Sequence, residues 1–207
     1  MAPYPARIQA ESLGAEALAV VERLGWDGWS LRQVAAELGV TANALYRHVD
    51  DRAGLVVAMG EAAAGELGTR LRRRTRAAQR KHPDEPDLAV IALARAFVDF
   101  AAKRPHAYDA FMAAKPQPDH PAYMAWAGLW LEVLKVVSVA VPASTDAAGF
   151  ALWAFLHGRV ELARGAAYRA PIDAGLDDAI RAMLTGFRET SPVASPLPED
   201  LRSPSEG

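Results

Sequence analysis

The stretch Ser30–Leu55, SLRQVAAELGVTANALYRHVDDRAGL, decides the fold because it reads as two short helices joined by a tight turn and followed by the start of a third. Ser30 and Gln33 have the spacing of a capping box, which marks the beginning of the first helix. Gly39 stands where the chain needs a positive φ to end that helix. The helix has one apolar face, formed at helical spacing by Leu31, Val34, Ala35 and Leu38.

The second helix of this stretch begins directly after the turn. Thr41 can cap it, and the pattern predicts that it covers Ala42–His48. Asp50 or Asp51 then caps the third helix. Two short helices across a tight turn form a helix-turn-helix, whose second helix fits a major groove about 12 Å wide. An ordinary corner in an all-α protein would show the same spacing, so the pattern alone leaves both interpretations open.

The residues themselves resemble one family. The segment Leu38–His48, LGVTANALYRH, with SLRQVA before it and DDRAGL after it, resembles the tetracycline-repressor (TetR) family of transcriptional regulators. The tripeptide Leu45-Tyr46-Arg47, followed by His48 and Val49, is close to the most characteristic signature of that family. The resemblance implies a DNA-binding head at the N-terminal end of the chain.

The turn before the helix-turn-helix carries two tryptophans, Trp26 and Trp29. A first helix is predicted to run to about Leu24 and to end at Gly25, and the tryptophans follow it. In the resembling family an aromatic or aliphatic pair occupies this turn. We therefore expect the two rings to cover the core of the head rather than to bind anything.

The composition predicts a helical protein of the cytoplasm. The 207 residues are 51% hydrophobic, rich in alanine and leucine, and contain no cysteine, which excludes disulfides, thiolate zinc sites and cysteine nucleophiles. The start of the sequence lacks the pattern of a signal peptide. The long apolar segment Ala122–Ala140 contains Glu132 and Lys135, so a buried helix is expected there rather than a membrane span.

The charge distribution argues against strong electrostatic attraction to DNA by the head. Residues 1–60 carry five Lys/Arg and seven Asp/Glu, and the whole chain has a formal net charge of −2. This keeps open an alternative, a helical small-molecule-binding or interaction protein that does not bind DNA. A dense basic run lies between Arg70 and Lys81, and it is either a second phosphate-contacting patch or a solvated helix face.

The whole chain is predicted to be all-α, with about nine helices in two domains and a tail. Residues 1–55 form the helix-turn-helix domain, residues 56–190 a helical regulatory and dimerisation domain, and residues 191–207 a disordered tail rich in proline, serine and acidic residues. The arrangement of Trp153 with His157-Gly158 resembles a C-terminal regulatory domain found in a subset of TetR-like proteins.

The resemblance also assigns the DNA contacts. Asn43 can pair with an adenine edge, while Ala42 and Ala44 can meet a thymine methyl group. Tyr46 is expected at a phosphate, although partial core packing is an alternative, and a base, a phosphate or solvent all remain open for Arg47. The complete predicted set is Arg32, Thr41, Ala42, Asn43, Ala44, Tyr46, Arg47, His48 and Arg52.

A small apolar or aromatic effector is predicted to bind the second domain, because that domain holds more aromatic residues than an aliphatic core needs. The predicted lining comprises Phe97, Phe100, Phe111, Met112, Tyr123, Trp126, Trp130, Trp153 and His157. A core or interface histidine is the alternative for His157, and simple core packing is the alternative for the aromatic residues.

A homodimer is predicted from the apolar stripes of the last two helices, which by resemblance pair across a two-fold axis. The predicted interface comprises Leu156, Val160, Leu176, Ile180, Met183, Leu184 and Phe187. A two-fold dimer requires a pseudo-palindromic operator on double-stranded DNA. No catalytic constellation, metal site or cofactor motif is evident, so the expected function is a ligand-responsive repressor and not an enzyme.

Overall fold

The computed structural model of the protein describes residues 9–114, 118–165 and 170–190, and the regular structure in these ranges is entirely helical. The all-α prediction is confirmed. The described residues form a 3₁₀ turn at Pro142–Ser144 and nine α-helices: α1 Ala10–Leu24, α2 Leu31–Glu37, α3 Ala42–Leu45, α4 Arg52–Lys81, α5 Pro86–Lys103, α6 Pro105–Ala113, α7 Tyr123–Ala140, α8 Thr145–Arg164 and α9 Leu176–Glu189. The predicted tail at residues 191–207 lies outside the described residues.

The helices group into two compact units. The first unit comprises the described residues of Met1–Glu66 together with Arg104–Trp126, and the second comprises Leu67–Lys103 together with those from Ala127 onward. This grouping differs from the predicted division after residue 55. The head takes in more of α4 and the whole of α6, because α6 packs on α1.

In the first unit, the backbones of α1 and α4 approach each other closely. A Cβ placed on Gly14 would lie 2.2 Å from the carbonyl oxygen of Ala58, so only glycine fits at this crossing. The end of α1 is set by Gly25, which has a φ of 86° and donates its backbone N–H to Val21.

A cluster of charged side chains fastens α6 to the head. The guanidinium group of Arg104 donates to Glu22 on α1 at 3.1 Å and to Glu66 on α4 at 2.7 Å. The same carboxylate oxygen of Glu22 accepts the backbone N–H of Ala107 at 3.1 Å. This ion-pair network explains why the start of α6 belongs to the head although it is distant in sequence.

In the second unit, α5 is a central helix that packs against α8 and α9. Both ends of its contact with α9 are fixed by ion pairs, since Arg95 donates to Asp177 at 2.8 Å and Arg188 donates to Asp87 at 3.0 Å. The two helices are therefore antiparallel. Arg188 also donates to the backbone carbonyl of Ala140, which ties in the end of α7.

Among the described helices, α7 alone is long and apolar enough to cross a membrane by length and composition, and 33% of that segment is buried. The core helix of a soluble protein passes the same test. The buried positions of α7 include Leu129, Val133 and Val137, whereas Leu131 and Val139 are 53% and 61% exposed. The helix is thus partly buried, and its open side carries Lys135 between Leu131 and Val139.

Candidate DNA-reading surface and regulatory clusters

The ends of α2 are formed by the residues that the sequence indicated. The Ser30 hydroxyl accepts the backbone N–H of Gln33 at 3.3 Å and donates to the side-chain oxygen of Gln33 at 2.8 Å. Gly39 has a φ of 70° and donates to the carbonyl of Ala36. Because Val40 also donates back to the carbonyl of Ala35, the turn closes as a Schellman motif.

The second helix of the helix-turn-helix, α3, is shorter than predicted. Thr41 caps it as expected, accepting the N–H of Ala44 at 3.1 Å, but the regular helix ends at Leu45 rather than at His48. The reason is a tightening of the backbone, because His48 donates to the carbonyl three residues earlier, that of Leu45, at 2.9 Å. Asp51 is the cap of α4, since its carboxylate accepts the N–H of Gly54 at 2.8 Å.

A single buried side chain anchors α3. Leu45 is fully buried, while Asn43 before it and Tyr46 after it are exposed. Tyr46 is 48% exposed, and this degree of exposure gives little support to the core-packing alternative. Of the predicted DNA contacts, Ala42 and Ala44 are half-buried, and the exposed ones are Arg32, Thr41, Asn43, Tyr46, Arg47, His48 and Arg52.

One contact in the head was not predicted from the sequence. The guanidinium carbon of Arg52 lies 4.1 Å from the centroid of the Trp29 ring. Trp29 is buried, as expected for a residue that covers the core, and Trp26 beside it is half-buried. The two partners are far apart in sequence, so no local spacing indicates their contact.

The predicted effector residues fall into two groups, one in each unit. In the second unit, Trp153 contacts Phe97, Trp130 and His157 with ring-centroid distances of 5.3, 6.2 and 4.6 Å. Phe97 and Phe100 are completely buried by the chain itself.

The other group lies in the first unit. Phe111 stacks on Trp126 with a ring-centroid distance of 5.8 Å and an angle of 9° between the ring planes. Tyr123 is half-buried, whereas Met112 is 42% exposed and points away from the core. Aromatic contacts among the predicted residues are thus observed within each unit.

His157 is held neutral by its surroundings. Burial lowers its pKa from the ordinary 6.5 to about 4. Its ring contacts Phe97 at 5.0 Å between ring centroids as well as Trp153. Within the described residues no group of three or more His, Cys, Asp or Glu side chains could hold a metal ion.

We expect protonation of His157 to destabilise the protein in mild acid. The unfolded chain takes up this proton near pH 6.5, but the folded chain does so only near pH 4, so the free energy of unfolding falls as pH decreases through this window. The expected loss is about 1 kcal/mol per pH unit, measured by urea unfolding. His157→Gln should make the free energy of unfolding depend less on pH, whereas His48→Gln, at an exposed site, should not. An unchanged slope of this free energy against pH in His157→Gln would contradict the assignment of the effect to His157.

Most of the predicted dimer interface is already buried within the single chain. Five of its seven residues are already buried inside the single chain, with exposures of 0–1%: Leu156, Val160, Leu176, Ile180 and Leu184. In the single chain their apolar stripe packs within the second unit. Met183 and Phe187 are half-buried.

A different apolar face of α8 is open to solvent. Phe150 is 47% exposed and Leu162 is 60% exposed, and Ala154 and Gly158 lie exposed between them at intervals of four residues. Residues at this spacing lie on one side of a helix. We call this side, defined by these four residues, the open face of α8.

Two family models match the chain. The one described as bacterial regulatory proteins, tetR family, matches residues 15–59, and the one described as tetracyclin repressor-like, C-terminal domain, matches residues 90–187. Among curated proteins, an uncharacterised HTH-type transcriptional regulator of Mycobacterium tuberculosis, Rv0681, is 31% identical over 161 residues, covering 76% of this chain and 71% of that protein.

Solved structures share the fold. A protein of unknown function from Rhodococcus sp. RHA1 is 26% identical with a TM-score of 0.70, covering 90% of this chain and 98% of that one. A TetR variant from Acinetobacter baumannii AYE in complex with minocycline is 19% identical with a TM-score of 0.62, covering 87% and 97%. The matches at both ends of the sequence and the 31% identity with a helix-turn-helix regulator show that the chain belongs to the TetR family of transcriptional regulators, which are not enzymes.

Proposed function

We propose that this regulator is a repressor of the cytoplasm that binds a pseudo-palindromic operator as a homodimer and is released by a small apolar or aromatic molecule. The observation that carries the proposal is the form of α3. This helix is fixed to the core by Leu45 and capped by Thr41. Asn43 within it, and Tyr46 and Arg47 directly after it, are exposed to solvent. A short helix held in this way can enter the major groove and place side chains at base edges.

The homodimer is supported by the open face of α8. Apolar residues exposed along the whole length of one helix face are typical of an interface. The small residues Ala154 and Gly158 would let a second helix approach closely, with Phe150 and Leu162 packing on either side. A two-fold pairing there would place two heads on two half-sites of an operator.

The effector is proposed to contact the aromatic group around Trp153. The rings of Phe97, Trp130 and His157 surround it, and the neutral state of His157 favours an uncharged or weakly polar molecule. A TetR variant with the same fold is in complex with minocycline, so this fold can hold a small molecule. A coupling of about 1–3 kcal/mol would change operator affinity roughly 5–150-fold.

The proposal is tested by selecting duplexes from a random-sequence pool with the full-length protein and measuring affinity over a salt series. We expect a two-fold symmetric sequence to emerge, and log affinity to fall linearly with log salt at about −0.9 per phosphate neutralised. Adding aromatic compounds should release this duplex. Equal binding of selected and scrambled duplexes would instead favour the second candidate, a helical ligand-binding protein, which the acidic charge of the head keeps open.

Two substitutions on α3 are expected to separate base reading from phosphate contact. Asn43→Ala should change the preferred base and weaken binding by about 1–3 kcal/mol per half-site, because its amide can pair with an adenine edge. Tyr46→Phe should weaken binding equally on all sequences, because a phosphate contact positions the head without specifying a base. Repeating the duplex selection with each variant checks both; the reverse pattern would exchange the two roles.

A further inference from the structure

Arg52, one of the predicted DNA contacts, lies over an aromatic ring in the free protein. It is the first residue of α4 and is exposed, and among the described residues its guanidinium group makes no hydrogen bond or ion pair. In the described part of the chain its guanidinium carbon lies over the ring of Trp29, 4.1 Å from the ring centroid. A guanidinium group that contacts a ring through its face keeps the N–H donors at its edge available for phosphate oxygens.

Packing alone gives a poor account of tryptophan at position 29. The residue is 5% exposed, but its indole N–H has no acceptor among the described residues. A buried donor without a partner is destabilising, and phenylalanine or leucine would fill an apolar site without that penalty. Tryptophan is, however, the aromatic side chain that attracts a cation most strongly. Its presence is therefore better explained by Arg52 than by the core.

The charge of the head makes the placement of each cation important. Residues 9–60 contain four arginines, and one of them, Arg23, is paired with Glu37 at 2.9 Å. Three arginines remain to attract phosphates: Arg32, Arg47 and Arg52. Ordering a long side chain on binding has an entropic cost, which is reduced when the side chain is already restrained in the free protein.

We propose that Trp29 is a positioning residue for DNA binding, whose ring holds the Arg52 guanidinium at the start of α4 so that it donates to a phosphate of the duplex. This inference rests on the proposed function, because it requires that the head binds DNA. It goes beyond that function because it gives Trp29, in the turn before α2, a role in the affinity for DNA. The contact is sequence-independent, since a phosphate carries no base information.

The test is a double-mutant cycle on the full-length protein with the selected operator and a scrambled duplex as probes. Trp29→Leu is expected to weaken binding about two- to fivefold per head, the factor that corresponds to a cation–π contact of about 0.5–1 kcal/mol. The factor should be the same on both duplexes. In an Arg52→Gln background, Trp29→Leu should have no further effect, because the side chain that it positions is gone.

Stability measurements separate this role from a structural one. Trp29→Phe keeps a weaker aromatic face, and removal of the unpaired indole N–H offsets the packing lost with the smaller ring, so its unfolding midpoint should change little while DNA affinity falls. Trp26→Phe is the matched control, since no arginine of the described residues lies over that ring, and its affinity should be unchanged.

Two results would overturn the inference. The first is that Trp29→Leu weakens DNA binding by the same factor in the Arg52→Gln background as in the wild type and also lowers the unfolding midpoint. This would show that Trp29 has a structural role. The second is unchanged binding by both Trp29→Leu and Trp29→Phe when the wild type binds its operator, which would leave the proposed function intact. A wild-type protein that binds neither duplex would remove both the inference and the proposed function on which it rests.

Discussion

Ile180→Glu is expected to unfold the second unit rather than to separate two subunits. Ile180 is fully buried on α9, which packs on α5, so a carboxylate there would be buried without a partner. Together with the lost packing, the free energy of unfolding should fall by more than about 4 kcal/mol, enough to abolish most of the stability of an ordinary domain. Circular dichroism during thermal unfolding measures this effect.

A neighbouring residue supplies the control for this experiment. Thr185 lies on the same helix and is exposed, so Thr185→Glu adds the same carboxylate to the surface and should change stability by no more than about 0.5 kcal/mol. Leu184→Glu should behave like Ile180→Glu, since Leu184 is also fully buried. A folded, monomeric Ile180→Glu variant would instead support the dimer interface that the sequence predicts.

The double variant Phe150→Glu, Leu162→Glu is expected to give the opposite result, a folded monomer. Both side chains are exposed in the single chain, so the new carboxylates stay hydrated in the monomer and are buried only if two open faces of α8 meet. Operator affinity should then fall by roughly 10²–10⁴-fold, because two linked heads bind two half-sites far more tightly than one head binds one.

Sedimentation velocity and circular dichroism check this second expectation. The sedimenting mass should be that of one chain while the helical signal is retained. Leu131→Glu is a matched control, since Leu131 is also an exposed apolar residue but lies on α7, and it should leave the dimer intact. If the α8 variant remains a dimer, the subunits meet through another surface.

The local features of the head could be predicted from the sequence because they depend on neighbouring residues. The hydroxyl groups of Ser30 and Thr41 cap the helices that follow them, and Gly39 supplies the positive φ that ends α2. Each of these features requires only a few consecutive residues of the right chemistry. The helix-turn-helix followed from them, whereas the family was indicated by the resemblance of Leu38–His48.

The long-range features could not be predicted in the same way. Periodicity showed that Ile180 and Leu184 share an apolar stripe, but a stripe does not specify whether its partner is α5 of the same chain or a second subunit. The contact of Arg52 with Trp29 joins residues 23 positions apart, and no local pattern encodes it. The early end of α3 depends on the hydrogen bond from the backbone N–H of His48 to the carbonyl of Leu45. The spacing of the apolar residues gives no sign of this bond.

The shortness of α3 has a consequence for how this regulator can evolve. A helix of four residues has no stability of its own, so its shape is imposed by the cap at Thr41 and by the buried side chain of Leu45. The outward residues Asn43, Tyr46 and Arg47 contribute little to holding that shape. After a gene duplication, two copies could therefore diverge at these positions and acquire different target sequences while both remain equally well folded.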